Sequence, residues 1–143
     1  TMDIPVDRDS KISSYKAYIR AGRELEENIG IVMFPEGAIS KTAPCMTEFK
    51  QGPFKLAIEK RVPIVPITLI NNWDVFPGYE KMFGRPGIVK AIIHEPIETK
   101  EMTDNDVNNL KDCIFGIINN TLKEHGCNVV DRWNIKKLKS NTF

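Results

Sequence analysis

A chain of 143 residues is long enough for one domain with a modest core, burying ~70% of the surface it exposes when unfolded, and its 41% hydrophobic against 27% charged residues excludes disorder throughout. Its 20 basic and 19 acidic side chains leave a formal charge of +1, which removes the global field that nucleic-acid binding draws on. Three cysteines, Cys45, Cys113 and Cys127, form an odd set without C-x-x-C spacing; they exclude a disulfide framework and a zinc site and fit a reducing, cytoplasmic compartment.

From the N-terminus, the apolar stretch Ile4-Pro5-Val6 ends in Asp7-Arg8. Asp9-Ser10 offers an N-cap, and Ile12, Tyr15, Tyr18, Ile19, Gly22 and Leu25 recur at helical spacing, predicting an amphipathic helix over 11–28. The run 30–34 reads as a short buried strand closed by Phe34-Pro35-Glu36-Gly37. A strand ending this way puts a charged side chain and a flexible turn at the C-terminal edge of a sheet, where open α/β folds bind ligands. Residues 38–51 lack periodicity and read as a loop across the top of the sheet.

Gly52-Pro53 opens a short helix to Lys60, with Phe54, Ala57 and Ile58 as its buried stripe. The β-branched run 62–70 is of the kind buried on both faces in parallel sheets, and Pro63 and Pro66 place it at an edge or at strand ends. Residues 71–85 form a long connection whose Trp73, Phe76, Tyr79, Met82 and Phe83 cover the sheet or line an entrance, and 87–93 is a further strand. Thr103 and Asp106 make a capping box ahead of Val107, Leu110, Ile114, Ile117, Ile118 and Leu122, a helix ending near His125-Gly126. In the tail, Arg132, Lys136, Lys137 and Lys139 surround Trp133, Ile135 and Leu138, as a solvated last helix or as a strip lying on an anionic bilayer. No signal peptide and no apolar run near the ~20 residues of a membrane helix is visible, so the chain reads as soluble. The alternation of helix and strand predicts one α/β domain over 1–143 with a mostly parallel sheet flanked by helices.

Three blocks, Ile4-Pro5-Val6-Asp7-Arg8, the F-P-E-G segment through Ser40, and the V-P-I-V-P-I run 62–67, stand in an order that resembles the glycerolipid acyltransferase family. Members of that family acylate glycerol 3-phosphate or 1-acylglycerol 3-phosphate (lysophosphatidic acid) from acyl-CoA or acyl carrier protein. The resemblance implies a glycerol-3-phosphate acyltransferase-like fold, phospholipid biosynthesis at the cytoplasmic face of a membrane, and no cofactor beyond the acyl donor as co-substrate; 1-acylglycerol 3-phosphate is the expected acceptor. The family's first block, N-H-x-x-x-x-D, supplies a catalytic histidine and its orienting aspartate. It has no match here: four positions beyond His94 stands Glu98, and beyond His125 stands Val129. Because that block precedes D-R in family order, the chain is expected to be the N-terminally truncated, C-terminal portion of an acyltransferase, without a catalytic residue of its own and inactive alone. Surface left uncovered by the truncation invites homodimerisation.

Acyl transfer needs a base, cations for the acceptor phosphate, an oxyanion stabiliser and a groove for the acyl chain. By resemblance Arg8 binds phosphate, its guanidinium matching the phosphate oxygens, the alternative being a surface pair with Asp9 or Glu36. Glu36 is expected to accept from a glycerol hydroxyl or to tether a cation or backbone N–H groups, and Gly37 to allow the turn and a close approach of ligand. The family's T-R-S becomes Ala38-Ile39-Ser40, so its arginine is Ile39 here; Ser40 completes the substrate-binding set, with Lys41 and Lys50 as substitute cations, the latter beside a helix N-terminus. The apolar side of 62–67 forms a groove wall or plain core. His94 and His125 are assigned to structure. A serine hydrolase would need G-x-S-x-G, which Gly37-Ala38-Ile39-Ser40-Lys41 does not supply, and neither G-x-G-x-x-G nor a Walker A sequence occurs. The rival reading is a non-catalytic lipid-binding or interaction module of the same fold.

Overall fold

The computed structural model describes residues 3–7, 10–38, 40, 43–76 and 84–127. Arg8, Lys41, the aromatic residues Tyr79 and Phe83, and the basic tail lie outside these residues. Helix α1, Lys11–Glu26, starts where the Ser10 hydroxyl accepts from the Ser13 amide. It stops two residues short of the predicted 11–28, because Asn28 takes a left-handed φ of 62° and lets the Ile29 amide reach back to the Glu24 carbonyl.

Helix α2, Gly52–Lys60, carries Pro53 in its first turn and ends on left-handed Arg61. It packs against α1 through Gly22, where a Cβ would come within 2.8 Å of the Lys60 side chain. The Tyr18 hydroxyl donates to Glu59 at 2.7 Å, and Lys60 Nζ donates to Glu26 at 2.5 Å. Burial and the Glu59 carboxylate push the Tyr18 phenol above its usual pKa. Of the predicted stripe of α1 only Gly22 is buried, beside Ala21, which the stripe does not include, whereas Ile12, Tyr15 and Ile19 are exposed. Nine residues of α2 span ~14 Å against ~24 Å for α1, so one partner cannot cover the whole face.

The paired strands are β1, Ile67–Leu69, and β2, Ala91–Ile93, which run antiparallel in the register Ile67↔Ile93, Thr68↔Ile92, Leu69↔Ala91, with a further bridge between Ile64 and Ile97. Both strands are shorter than predicted, and the pairing is antiparallel where the pattern predicts a mostly parallel sheet. Between them lies the one-turn helix α3, Asn72–Val75. Asn71 closes the return, its side chain accepting from the Lys90 amide and donating to the Ile88 carbonyl. Two neighbouring runs joined by a returning connection fall side by side as an antiparallel pair, and an all-apolar run looks the same in either pairing. One face of the pair, with buried Thr68, turns toward the helix that follows, while Ile67 and Ile93 face outward and are exposed.

The predicted strand 30–34 has no ladder partner among the described residues; it is an extended segment with Val32 80% and Phe34 76% exposed. Its apolar character reads as buried strand, but burial requires a neighbouring element, which the residues themselves do not provide.

Helix α4, Val107–Glu124, follows a 3-10 turn, Asp104–Asp106. The capping box holds: Asp106 accepts from both the amide and the hydroxyl of Thr103. The core forms where α4 meets α2 and the loop before it, with Phe49, Phe54, Ile58, Val107, Leu110 and Ile114 buried together. Phe49 is central, stacked on Phe54 and edge-on to Phe115. The fully buried Thr99 hydroxyl lies 3.1 Å from the Ala57 carbonyl and 2.8 Å from that of Val62, pinning the end of α2.

Phe49→Ala is expected to cost about 3–5 kcal/mol, seen as a lower urea midpoint with an unchanged slope. The Thr103 amide, then its hydroxyl, hold the Asp106 carboxyl below the usual carboxylate range. A folded-state pKa below the unfolded one makes this contribution full above about pH 4 and lost as pH falls through the lower folded value. The stability gap between the native chain and Asp106→Asn is therefore expected to be widest near neutrality and to close in that acid window, as measured by urea titrations at stepped pH.

Candidate functional site

The F-P-E-G segment is a tight turn. The Gly37 amide donates to the Phe34 carbonyl at 3.0 Å, and Gly37 holds a φ of +71°, a conformation that disfavours a Cβ. Two ties fasten this turn to the far end of the following loop. The Pro35 carbonyl accepts from the Lys50 amide at 2.8 Å. Glu36 Oε2 accepts from both the amide of Thr47, at 2.6 Å, and its hydroxyl, at 2.9 Å.

Phe49 lies between those two attachment points, sunk into the core, so the turn inherits its position from the packed helices. Glu36 is half-buried, and Gly37 and Lys50 are exposed at the surface. An added Cβ on Gly37 would lie 3.7 Å from the Lys50 Cγ, which puts the stem of that lysine alongside the turn. Lys50 is also two residues ahead of α2, whose N-cap, Gln51, makes no side-chain capping bond.

Of the six predicted binding residues, the structure thus brings Glu36, Gly37 and Lys50 together. Ser40 sits within the loop and its hydroxyl donates to the Cys45 carbonyl at 2.9 Å, just beyond the cis peptide between Ala43 and Pro44. Arg8 and Lys41 lie outside the described residues. Thr47 is the residue that sequence reasoning passes over. A threonine in an aperiodic loop carries no signal of its own, and its partner stands eleven positions away.

Both histidines are bonded within the fold. Nε2 of His94 lies 2.8 Å from the Thr68 hydroxyl across the β1–β2 pair, and Nδ1 of His125 lies 2.9 Å from the Thr121 carbonyl at the end of α4. Among the described residues no three His, Cys, Asp or Glu side chains gather as metal ligands. No helix among them is long and apolar enough to cross a membrane. The cleft between α1 and α2, lined by Tyr18, Gly22, Leu56 and Lys60, contains none of the predicted binding residues.

Gly37→Ala is expected to destabilise the chain by about 1–2 kcal/mol through the left-handed φ. Gly30→Ala, in an open extended segment where nothing lies within 4 Å of the added carbon, serves as the comparison and is expected to be near neutral by thermal melt.

The family model described as Acyltransferase matches residues 2–70, which contain all three blocks. An uncharacterized acyltransferase of Schizosaccharomyces pombe is 33% identical over 83% of this chain and 43% of its own length. The 1-acyl-sn-glycerol-3-phosphate acyltransferase alpha of Mus musculus is 32% identical over 63% of this chain and 31% of its own. The chain therefore spans less than half the length of these relatives. The crystal structure of PlsC, the 1-acyl-sn-glycerophosphate (LPA) acyltransferase from Thermotoga maritima, superposes with a TM-score of 0.69 at 22% identity, over 81% of this chain and 46% of that one, so the fold is shared. With its three blocks in order, the FPEG turn fixed as described, and this fold around them, the chain carries part of a domain of the acyltransferase family.

Proposed function

We propose that this chain supplies the acceptor-binding part of an acyltransferase that moves an acyl group from acyl-CoA or acyl carrier protein to the free hydroxyl of 1-acylglycerol 3-phosphate. The observation that carries this reading is the turn itself. It carries a carboxylate next to a glycine bend with a lysine stem beside that glycine, and it is tied at two points to the loop that Phe49 anchors in the core. Glu36 accepts a hydrogen bond from a glycerol hydroxyl, and the cations Arg8 and Lys50, with Lys41 and Ser40 nearby in sequence, hold the phosphate.

In the reaction the acceptor oxygen attacks the thioester carbonyl, the new ester C–O bond forms, the C–S bond breaks and the thiol leaves with a proton. The base for that step is a histidine–aspartate pair, and neither histidine of this sequence has aspartate at the required spacing. The acyl donor is a co-substrate and no further cofactor takes part. The lipid acceptor puts the working protein at the cytoplasmic face of a membrane, and the exposed segment 30–34 makes a homodimer the expected state of the chain alone.

The test is a chimera in which residues 2–70 replace the matching segment of the mouse enzyme. The chimera is expected to acylate 1-acylglycerol 3-phosphate. Arg8→Ala within it is expected to lower kcat/KM for the acceptor about tenfold or more, a loss of roughly 1.4 kcal/mol, while leaving that for the acyl donor within about twofold. Equal loss for both substrates counts against the phosphate role of Arg8. Turnover by the 143-residue chain alone shows that the base has been misplaced.

A further inference from the structure

We infer that Thr47 is a positioning residue for the acceptor, acting through Glu36; this rests on the headgroup reading of the turn. The asymmetry of the Glu36 carboxylate carries it. Both donors of Thr47, the amide at 2.6 Å and the hydroxyl at 2.9 Å, converge on Oε2, while Oε1 has no hydrogen-bond partner among the described residues. Two donors from one residue hold Oε2 against Thr47, so the placing of the carboxylate follows that of residue 47.

Oε2 is occupied, so Oε1 is the oxygen available to a ligand hydroxyl, and Thr47 decides where it points. Thr47 is itself held: Phe49, two residues on, is 3% exposed in the core, and the next amide, that of Lys50, bonds back to Pro35. The chain from Pro35 through Glu36 to Thr47 and Lys50 is thus a closed frame. Oε1 of Glu36 is the oxygen that this frame leaves without a partner among the described residues, and the Lys50 stem lies beside the adjacent Gly37. The ligand that suits this pairing is a polyol phosphate, its hydroxyl on Glu36 and its phosphate on the cations.

A hydroxyl-dependent contact separates this role from a merely structural one. The purified chain is titrated with sn-glycerol 3-phosphate and with inorganic phosphate, following amide NMR shifts of the turn. Thr47→Val keeps the amide donor and removes the hydroxyl; it is expected to weaken glycerol 3-phosphate binding about fivefold and to leave phosphate binding within about twofold. Thr47→Ser, which keeps both donors, is expected to restore the native affinity. Slow hydrogen exchange at the Lys50 amide reports that the frame is still folded in each variant.

Equal weakening of both ligands, or no change with Thr47→Val while Glu36→Gln or Glu36→Ala weakens glycerol 3-phosphate, overturns the role of Thr47 and leaves the headgroup reading standing. Unchanged glycerol 3-phosphate affinity in both Glu36 variants overturns the headgroup reading and the inference together. So does a native chain that binds neither ligand.

Discussion

The burial of Phe49 is the constraint on which the site depends. Its ring is packed between Phe54 and Phe115 where α2 meets α4, and the residues on either side of it, Thr47 and Lys50, are those that grip the FPEG turn. An aromatic side chain taken out of water anchors backbone more firmly than a surface hydrogen bond does. An otherwise irregular loop therefore holds a carboxylate and a glycine bend in a defined place, and the polar ties set the local orientation once the hydrophobic anchor has set the position.

The rest of the architecture supports that anchor unevenly. Around the α2–α4 core the buried Thr99 hydroxyl lies within reach of two carbonyls at the end of α2, and the Thr103–Asp106 box starts the helix that covers the core. Away from it, the outer side of α1, the extended run 30–34 and the outward face of the β1–β2 pair keep large apolar side chains in water. Apolar surface of this extent is a feature of interfaces. The turn sits at the junction of the two regions, directly following 30–34 and fastened to the core, so the site lies at the border between the well-packed half and the half with open apolar faces.

The two histidines illustrate how context assigns a side chain. Each has the chemistry of a general base, yet each is bonded to a fold element, His94 to Thr68 across two strands and His125 to a carbonyl of its own helix. Serine tells a similar story at Ser40, whose hydroxyl is directed at the Cys45 carbonyl. Glu36 has both Thr47 donors on Oε2 and no partner on Oε1 among the described residues; Asp106 shares that pattern but uses it to cap its own helix, whereas Glu36 stands in the FPEG turn.

The local elements were legible from sequence wherever short-range rules govern. Ser10, Pro53 and the Thr103–Asp106 box mark helix starts through backbone groups within a few residues, and the three-block order identified the family, since motif spacing survives any error about pairing. Strand pairing was not legible, because an apolar run such as 62–70 states that it wants burial without stating against what; the antiparallel register with 91–93, and the lack of a ladder partner for 30–34 among the described residues, depend on which segments meet in space. Glu36 and Gly37 could be named from the motif alone. The tertiary structure decided that Thr47 holds the carboxylate and that the Lys50 stem lies beside Gly37, since contacts between residues more than ten positions apart are created by chain closure around a buried core and leave no periodic trace in the sequence.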